Sequence, residues 1–174
     1  MFVTRTLPTP VGDLRLVADD TALVGVWFPD HRGAPAVDAT SVGTHPLLDR
    51  AEAELSAYFA GTLRGFSVPT RAAGTPFQRA VWAELARIPY GETRSYAQIA
   101  VAVGRPGATR AVGTANGANP LSIVVPCHRV VATGGAISGY AGGVDKKRWL
   151  LDWEANEGAT AGRLSAPALF PAHR

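Results

Sequence analysis

One cysteine, Cys127, stands in the 174 residues of this chain. Neither a disulfide framework nor a multi-cysteine zinc site is available to hold it together, so the fold must rest on a buried apolar core. The length suits one mid-sized domain or two small ones, and 47% apolar residues exclude a disordered chain. No apolar run approaches the roughly 20 residues that span a bilayer. The opening MFVTRTLPTP lacks the apolar stretch of a secretory signal. A cytoplasmic, reducing compartment is therefore expected, with no membrane as partner. His31, His45, His128 and His173 have no ligand-like spacing, so no metal and no other cofactor is expected.

The same cysteine is the candidate for chemistry. A lone thiol is most often a small buried hydrophobe, and its reactivity depends on how readily the thiolate forms. In IVVPCHRVV (residues 123–131) Pro126 fixes the local backbone, while His128 and Arg129 place a titratable base and a permanent cation beside the sulfur. The β-branched run before Pro126 predicts a buried strand that delivers the thiol to a fixed place. Charge is unevenly spread. Residues 1–74 carry 6 basic and 8 acidic side chains, whereas residues 75–153 carry 9 and 4. The positive half fits a surface that meets a polyanion, or an ordinary solvated face.

Periodicity predicts strands at 11–17 and 22–28 joined by a turn at 19–20, then a loop over 29–43 rich in Pro, Gly and Asp. An amphipathic helix over 46–60 and a short third strand at 66–69 follow, and 71–74 reads as a linker. Nothing in the first 70 residues carries recognisable chemistry. Thr75-Pro76-Phe77-Gln78 then opens a helix with a capping box and Pro at its first position, stopped by Pro89. Ser95-Tyr96-Ala97-Gln98 is a second capping box, for a helix to Val103, and a third helix spans 108–116. Two short helices joined by a Gly-containing turn form the helix-turn-helix pattern. The second of them, ATRAVGTANG, has one long polar side chain, Arg110, among small residues. Either it packs tightly against a neighbour or it is a slim helix for a DNA groove. A glycine-rich loop around Tyr140 and a closing helix over 144–154 with Trp149, Leu150 and Trp153 complete the pattern. Residues 155–174, rich in Ala, Gly and Pro, read as a loosely held tail.

The motifs PYGETRSY, RAVGTANGANP, IVVPCHRVV, GYAGG and KKRWLLDWE, in this order between Thr75 and Glu154, resemble the O6-alkylguanine-DNA alkyltransferases, also called methylated-DNA–protein-cysteine methyltransferases. The resemblance implies an α/β (α+β) fold. Residues 1–74 would be a supporting ribonuclease-H-like domain and linker, and 75–154 a mainly helical, winged-helix-like domain for DNA binding and alkyl transfer. It implies direct-reversal repair: Cys127 takes an alkyl group, irreversibly and once per molecule, from O6 of a guanine flipped out of double-stranded DNA. A water-linked relay of Cys127, His128 and Glu154 would activate the thiol. A bridging water is expected in preference to a direct contact, because adjacent side chains on an extended backbone point apart.

Further roles follow from the same likeness. Tyr96 would assist the departing base. Asn119 would brace the turn before the cysteine, Tyr140 and Ala141 would wall the base pocket, and backbone at Cys127 and Val130 would read the guanine edge. Lys147 would tie the last helix to the active-site loop, and Arg110 would fill the space left by the flipped nucleotide. Ser95, Thr109, Ala111, Gly113, Thr114, Ala115 and Gly117 would lie along the DNA. Trp153 departs from the family pattern at a variable position. The absence of a second cysteine implies a stand-alone protein without the zinc phosphotriester-repair module of some relatives. A monomer with no obligate protein partner is expected, cooperative at most on DNA. The alternative is a non-catalytic alkylguanine-sensing DNA-binding protein, against which Cys127 itself argues. A thiol hydrolase is disfavoured by the adjacency of Cys127 and His128, and a plain repressor by the shortage of base-reading side chains in ATRAVGTANG.

Overall fold

The computed structural model describes residues 2–31, 34, 41–42 and 44–157. The predicted tail beyond 157 and much of the predicted 29–43 loop lie outside the described residues. Strands β1 (Val3–Leu7), β2 (Leu14–Ala18) and β3 (Leu23–Trp27) form an antiparallel meander, and β4 (Ser41–Val42) joins in parallel beside β1, in the order β3-β2-β1-β4. Helix α1 (Pro46–Phe59) starts where the His45 ring accepts from the Leu47 amide, and it buries Leu48, Ala51, Leu55, Tyr58 and Phe59. That spacing is the apolar stripe of a helix laid on a sheet. β1 was missed in the sequence because its polar residues interrupt the alternation. The predicted strand at 66–69 is absent: the chain bends there, and only Thr70 pairs, in parallel with Leu23.

The outer edge of β3 is where the first and second parts of the chain join. The Leu23 amide donates to the Pro69 carbonyl, and the Leu23 carbonyl accepts from the Arg71 amide. Val26 does the same with Pro120 and Ser122, six and four residues before Pro126. An open edge would demand partners for these groups. Here residues 69–71 supply them at Leu23, and the loop that leads to the cysteine supplies them at Val26.

Helix α2 (Pro76–Leu85) has the predicted Thr75/Gln78 capping box and buries Val81, Trp82 and Leu85. β5 (Arg94–Ser95) leads directly into α3 (Tyr96–Ala102), whose N-cap is Ser95 in the second predicted box. After the 103–108 turn comes α4 (Thr109–Gly117). β6 (Val130–Val131) pairs in parallel with β5, which ties the residues after the cysteine to the start of α3. Helix α5 (Val144–Glu157) closes the fold and runs past the predicted end at 154, so residues 155–157 are helical. No helix among the described residues is long and apolar enough to cross a membrane.

Gly142 and Gly113 separate two kinds of glycine. A Cβ on Gly142 would sit 2.4 Å from the Phe28 ring, which is itself fully buried and edge-on to Tyr140 at 6.0 Å. A Cβ on Gly113 would meet only Tyr96, at 3.9 Å. Gly142→Ala is expected to cost about 1–3 kcal/mol by overpacking, and Gly113→Ala to gain up to about 1 kcal/mol of helix propensity. Urea unfolding of the two variants reads both signs.

Candidate active site

The cysteine loop is built on a backbone that few residues adopt. Ile123 has φ 71°, in the left-handed region that a β-branched side chain strongly disfavours. The turn holds it there through Val125 N–H donating to Leu121 O at 2.8 Å and Val124 N–H to Ser122 O at 2.9 Å. Asn119, fully buried, clamps the same turn from both sides: Nδ2 donates to Val125 O at 2.8 Å and Oδ1 accepts from Leu121 N at 3.0 Å. The predicted strand before Pro126 is therefore a tight turn, held by side chain as much as by backbone. Pro126 (φ −81°, ψ 64°) makes an inverse γ-turn with Cys127 N–H on Val125 O at 2.8 Å. Cys127–Arg129 is then a 3₁₀ turn rather than the extended segment expected from the sequence.

Cys127 is 3% exposed. Burial pushes its thiol up from the ordinary value, while the Asn119 carboxamide, the Lys147 charge and the Tyr140 hydroxyl pull the other way. At rest the sulfur keeps its proton. His128, on the next residue, is fully buried, and its Nε2 lies 2.7 Å from Glu154 Oε1. Its Nδ1 is buried without a hydrogen-bond partner among the described residues. Burial holds the imidazole below its usual pKa, against the pull of Glu154.

Glu154 is the most heavily bonded group of the site. Oε1 accepts from His128, from the Tyr58 hydroxyl at 2.8 Å and from Arg129 Nη2 at 2.9 Å. Oε2 accepts from Arg129 Nε at 2.8 Å and from the Gly91 amide at 3.2 Å. Burial alone would raise the carboxyl, but the bonds from His128 and Arg129 hold it far below the carboxylate range. Arg129 was expected beside the thiol. It turns instead to Glu154 and to the Ile88 carbonyl at 2.6 Å, and the cation that acts on the sulfur is Lys147.

Lys147 is also fully buried. Its ammonium donates to the carbonyls of Val130, Ser138 (3.1 Å) and Gly139 (3.2 Å) and to the Tyr96 hydroxyl at 3.4 Å. Burial lowers its pKa to about 8. The Tyr96 hydroxyl in turn donates to Ser138 O at 3.1 Å. These bonds fix one wall of a cleft of about 600 Å³, lined by Tyr96, Gly113, Asn116, Tyr140, Ala141 and Gly142 among others. Two lining residues reach the cysteine. Asn116 Nδ2 donates to the Cys127 carbonyl at 3.3 Å, and the Tyr140 hydroxyl sits against the thiol, outside hydrogen-bond geometry to any group.

Beside the cleft runs the outer face of α4. Thr109, Arg110, Ala111 and Thr114 are exposed, and Gly113 and Gly117 half-buried. Ala115, predicted on this face, turns inward, and its carbonyl accepts from Trp82 Nε1 at 2.8 Å. A Cβ on Gly117 would meet nothing within 4 Å among the described residues.

Residues 76–156 match the family model described as 6-O-methylguanine DNA methyltransferase, DNA binding domain. A methylated-DNA–protein-cysteine methyltransferase of Salmonella typhimurium is 53% identical over 85% of this chain and 92% of its own length. Another, of Mycolicibacterium paratuberculosis, is 45% identical over 88% and 93%. The crystal structure of Mycobacterium tuberculosis OGT in complex with DNA superposes with a TM-score of 0.80 at 43% identity, covering 88% of this chain and 93% of that one. This chain belongs to the methylated-DNA–protein-cysteine methyltransferase family. The resemblance carried by its five motifs is thus borne out, and it extends across the first 70 residues, where the sequence alone offered only an outline.

Of the residues that likeness singled out in this methyltransferase family member, the fold brings Cys127, His128, Glu154, Asn119, Lys147, Val130, Tyr96 and Tyr140 into one connected set. Ser95 serves as the N-cap of α3. Tyr58, Gly91 and Asn116 were missed. Only the Tyr90-Gly91 turn left a trace in the sequence, because a lone tyrosine in a helix stripe reads as core.

Acid should destabilise the protein in two stages. Both His128 and Glu154 have folded pKa values below their unfolded ones, so each contributes stability that is present above the unfolded value and lost as pH falls. The first loss begins near pH 6.5, where the unfolded histidine takes a proton that the buried ring resists. The second begins near pH 4.5, where only the unfolded glutamate is protonated. Melting temperatures across this range should fall in that order, and His128→Gln should flatten the first limb. Arg129→Met strands the buried carboxylate and should cost about 3–5 kcal/mol in urea unfolding.

Proposed function

We propose that this protein repairs alkylated DNA by moving an alkyl group from O6 of guanine to Cys127, once per molecule. The observation that carries the reading is the buried run of Cys127, His128 and Glu154, in which Nδ1 of His128, the residue after the cysteine, is buried without a hydrogen-bond partner among the described residues. A buried polar atom without a partner is costly unless a water or a reacting group meets it. One water there links thiol and imidazole. The thiol proton passes to His128, Glu154 stabilises the imidazolium, and the thiolate attacks the alkyl carbon. The S–C bond forms as the C–O6 bond breaks, and guanine leaves with the proton, directly or through the Tyr96 hydroxyl. The thioether has no route back.

The base enters the 600 Å³ cleft, with Tyr140 and Ala141 as its wall and backbone at Cys127 and Val130 reading its edge. Lys147 keeps that wall fixed to the cysteine loop. Arg110 fills the gap in the duplex, since a base in the stack hides its O6 atom. The glycines of α4 admit the DNA backbone closely, and the α3–α4 pair acts as a helix-turn-helix. The ribonuclease-H-like description of residues 1–74 is supported by the β1–β3 meander with β4 parallel beside β1. The protein works as a cytoplasmic monomer on double-stranded DNA that carries O6-alkylguanine.

Intact mass after incubation with a duplex carrying one O6-methylguanine tests the reaction. One methyl per protein is expected, on Cys127, and none in Cys127→Ser. Tight binding with no gain in mass would sink the transferase and leave a lesion sensor. Arg110→Ala should slow transfer from the duplex by at least about tenfold, at roughly 1–3 kcal/mol for the unstacking it no longer offsets. Transfer from a free O6-alkylguanine base should be unchanged, because no duplex has to be opened.

A further inference from the structure

Three donors converge on one oxygen in this protein. Oε1 of Glu154 accepts from His128 Nε2 at 2.7 Å, from Arg129 Nη2 at 2.9 Å and from the Tyr58 hydroxyl at 2.8 Å. An ionised carboxylate oxygen has about two lone-pair sites, so these donors compete, and what one takes the others lose. Tyr58 comes from the end of α1, 96 residues before Glu154 in the chain. It is fully buried. Its ring is fixed by Phe59 at 5.2 Å, Phe66 at 5.7 Å and Tyr90 at 6.0 Å, and its carbonyl accepts from Trp153 Nε1 at 3.3 Å. A phenylalanine would fill the same place in the α1 stripe. The hydroxyl therefore adds nothing to packing, and a buried hydroxyl is tolerated only because it is bonded.

We propose that Tyr58 is a positioning residue of the thiol relay: its hydroxyl shares Oε1 with His128 and limits how strongly that oxygen draws a proton onto the imidazole. This rests on the Cys127–His128–Glu154 relay described above and adds to it a group from the sheet-and-helix part of the chain. The charged and titratable groups around His128 are Glu154 and Lys147 from α5, Arg129 and Cys127 from its own turn, and Tyr58 from α1, with Tyr90 behind Tyr58 and Arg129. Arg129 already neutralises the carboxylate. Tyr58 then takes part of the remaining basicity on the oxygen nearest the ring, so the proton stays on sulfur until a base fills the cleft.

The test is the pH dependence of Cys127 alkylation by iodoacetamide, which needs no DNA. In Tyr58→Phe the thiol proton should pass to His128 more readily, and the pH of half-maximal rate should fall by about one unit. Replacing Tyr58 by 3,5-difluorotyrosine, a stronger donor of nearly the same shape, should move it the other way. Phe59→Leu, which loosens the same end of α1 without touching Glu154, should lower the melting temperature and leave the profile in place. An unmoved or raised midpoint in Tyr58→Phe, or a profile that shifts equally in Phe59→Leu, would overturn the proposal. Methyl transfer from O6-methylguanine is read separately by mass, so a moved midpoint with no transfer would refute the repair reading alone.

Discussion

Glu154 carries its charge inside the protein, and four separate segments meet there to make that possible. A carboxylate taken out of water costs several kcal/mol unless it is paired and its lone pairs are filled. The fold fills them with Tyr58 from α1, Gly91 from the turn after α2, and His128 and Arg129 from the cysteine turn, against a carboxylate presented by α5. The consequence is chemical as well as structural. Because Arg129 cancels the carboxylate's charge, His128 sits in a nearly neutral enclosure, and burial keeps its ring unprotonated. The thiol beside it is likewise protonated at rest. At rest the centre is a protonated thiol beside a neutral imidazole, rather than a standing thiolate stabilised by a nearby cation.

Such a centre needs the cysteine placed to within a fraction of an ångström, and the support for that placement lies outside the helical part. The edge of β3 binds the backbone at Pro120 and Ser122, and Asn119 clamps the turn that follows. Between them Ile123 is forced to φ 71°, a conformation worth of the order of 1–3 kcal/mol of strain. The sheet is thus a mould for the cysteine loop. Its β3 edge fixes the loop at one end, as the β5–β6 pair fixes it at the other.

These two arrangements mark where the sequence was legible and where it was not. Both capping boxes, Thr75/Gln78 and Ser95/Gln98, are local patterns with one physical meaning, and both helices begin where they predict. The motif order from Thr75 to Glu154 gave the family and brought Cys127, His128 and Glu154 together. The strand expected before Pro126 failed because β-branched runs favour extended backbone only on average, and here Asn119 and the β3 edge override the preference. Arg129 was assigned to the thiol by its position in the chain. The 3₁₀ turn rotates it away, toward a carboxylate 25 residues on. Tyr58 was invisible because its hydroxyl acts across 96 residues, while its ring reads only as part of an apolar stripe.

Helix α4 raises the remaining question of why a protein keeps glycines that its own interior does not use. Gly113 could carry a methyl group at 3.9 Å from Tyr96, and Gly117 could carry one in open space. Each glycine costs roughly 1 kcal/mol of helix stability relative to alanine. Packing against a neighbour, one of the two readings open in the sequence, is excluded at Gly117 and unneeded at Gly113. Gly142 shows what a packing requirement looks like, with Phe28 at 2.4 Å from any Cβ. What remains for α4 is a surface outside the molecule. Gly113 lines the cleft, Arg110 is exposed a turn earlier on α4, and the matched family model is a DNA-binding one. A helix kept thin at a cost in stability, next to a single long exposed cation, leaves room beside the cleft for another surface to come close.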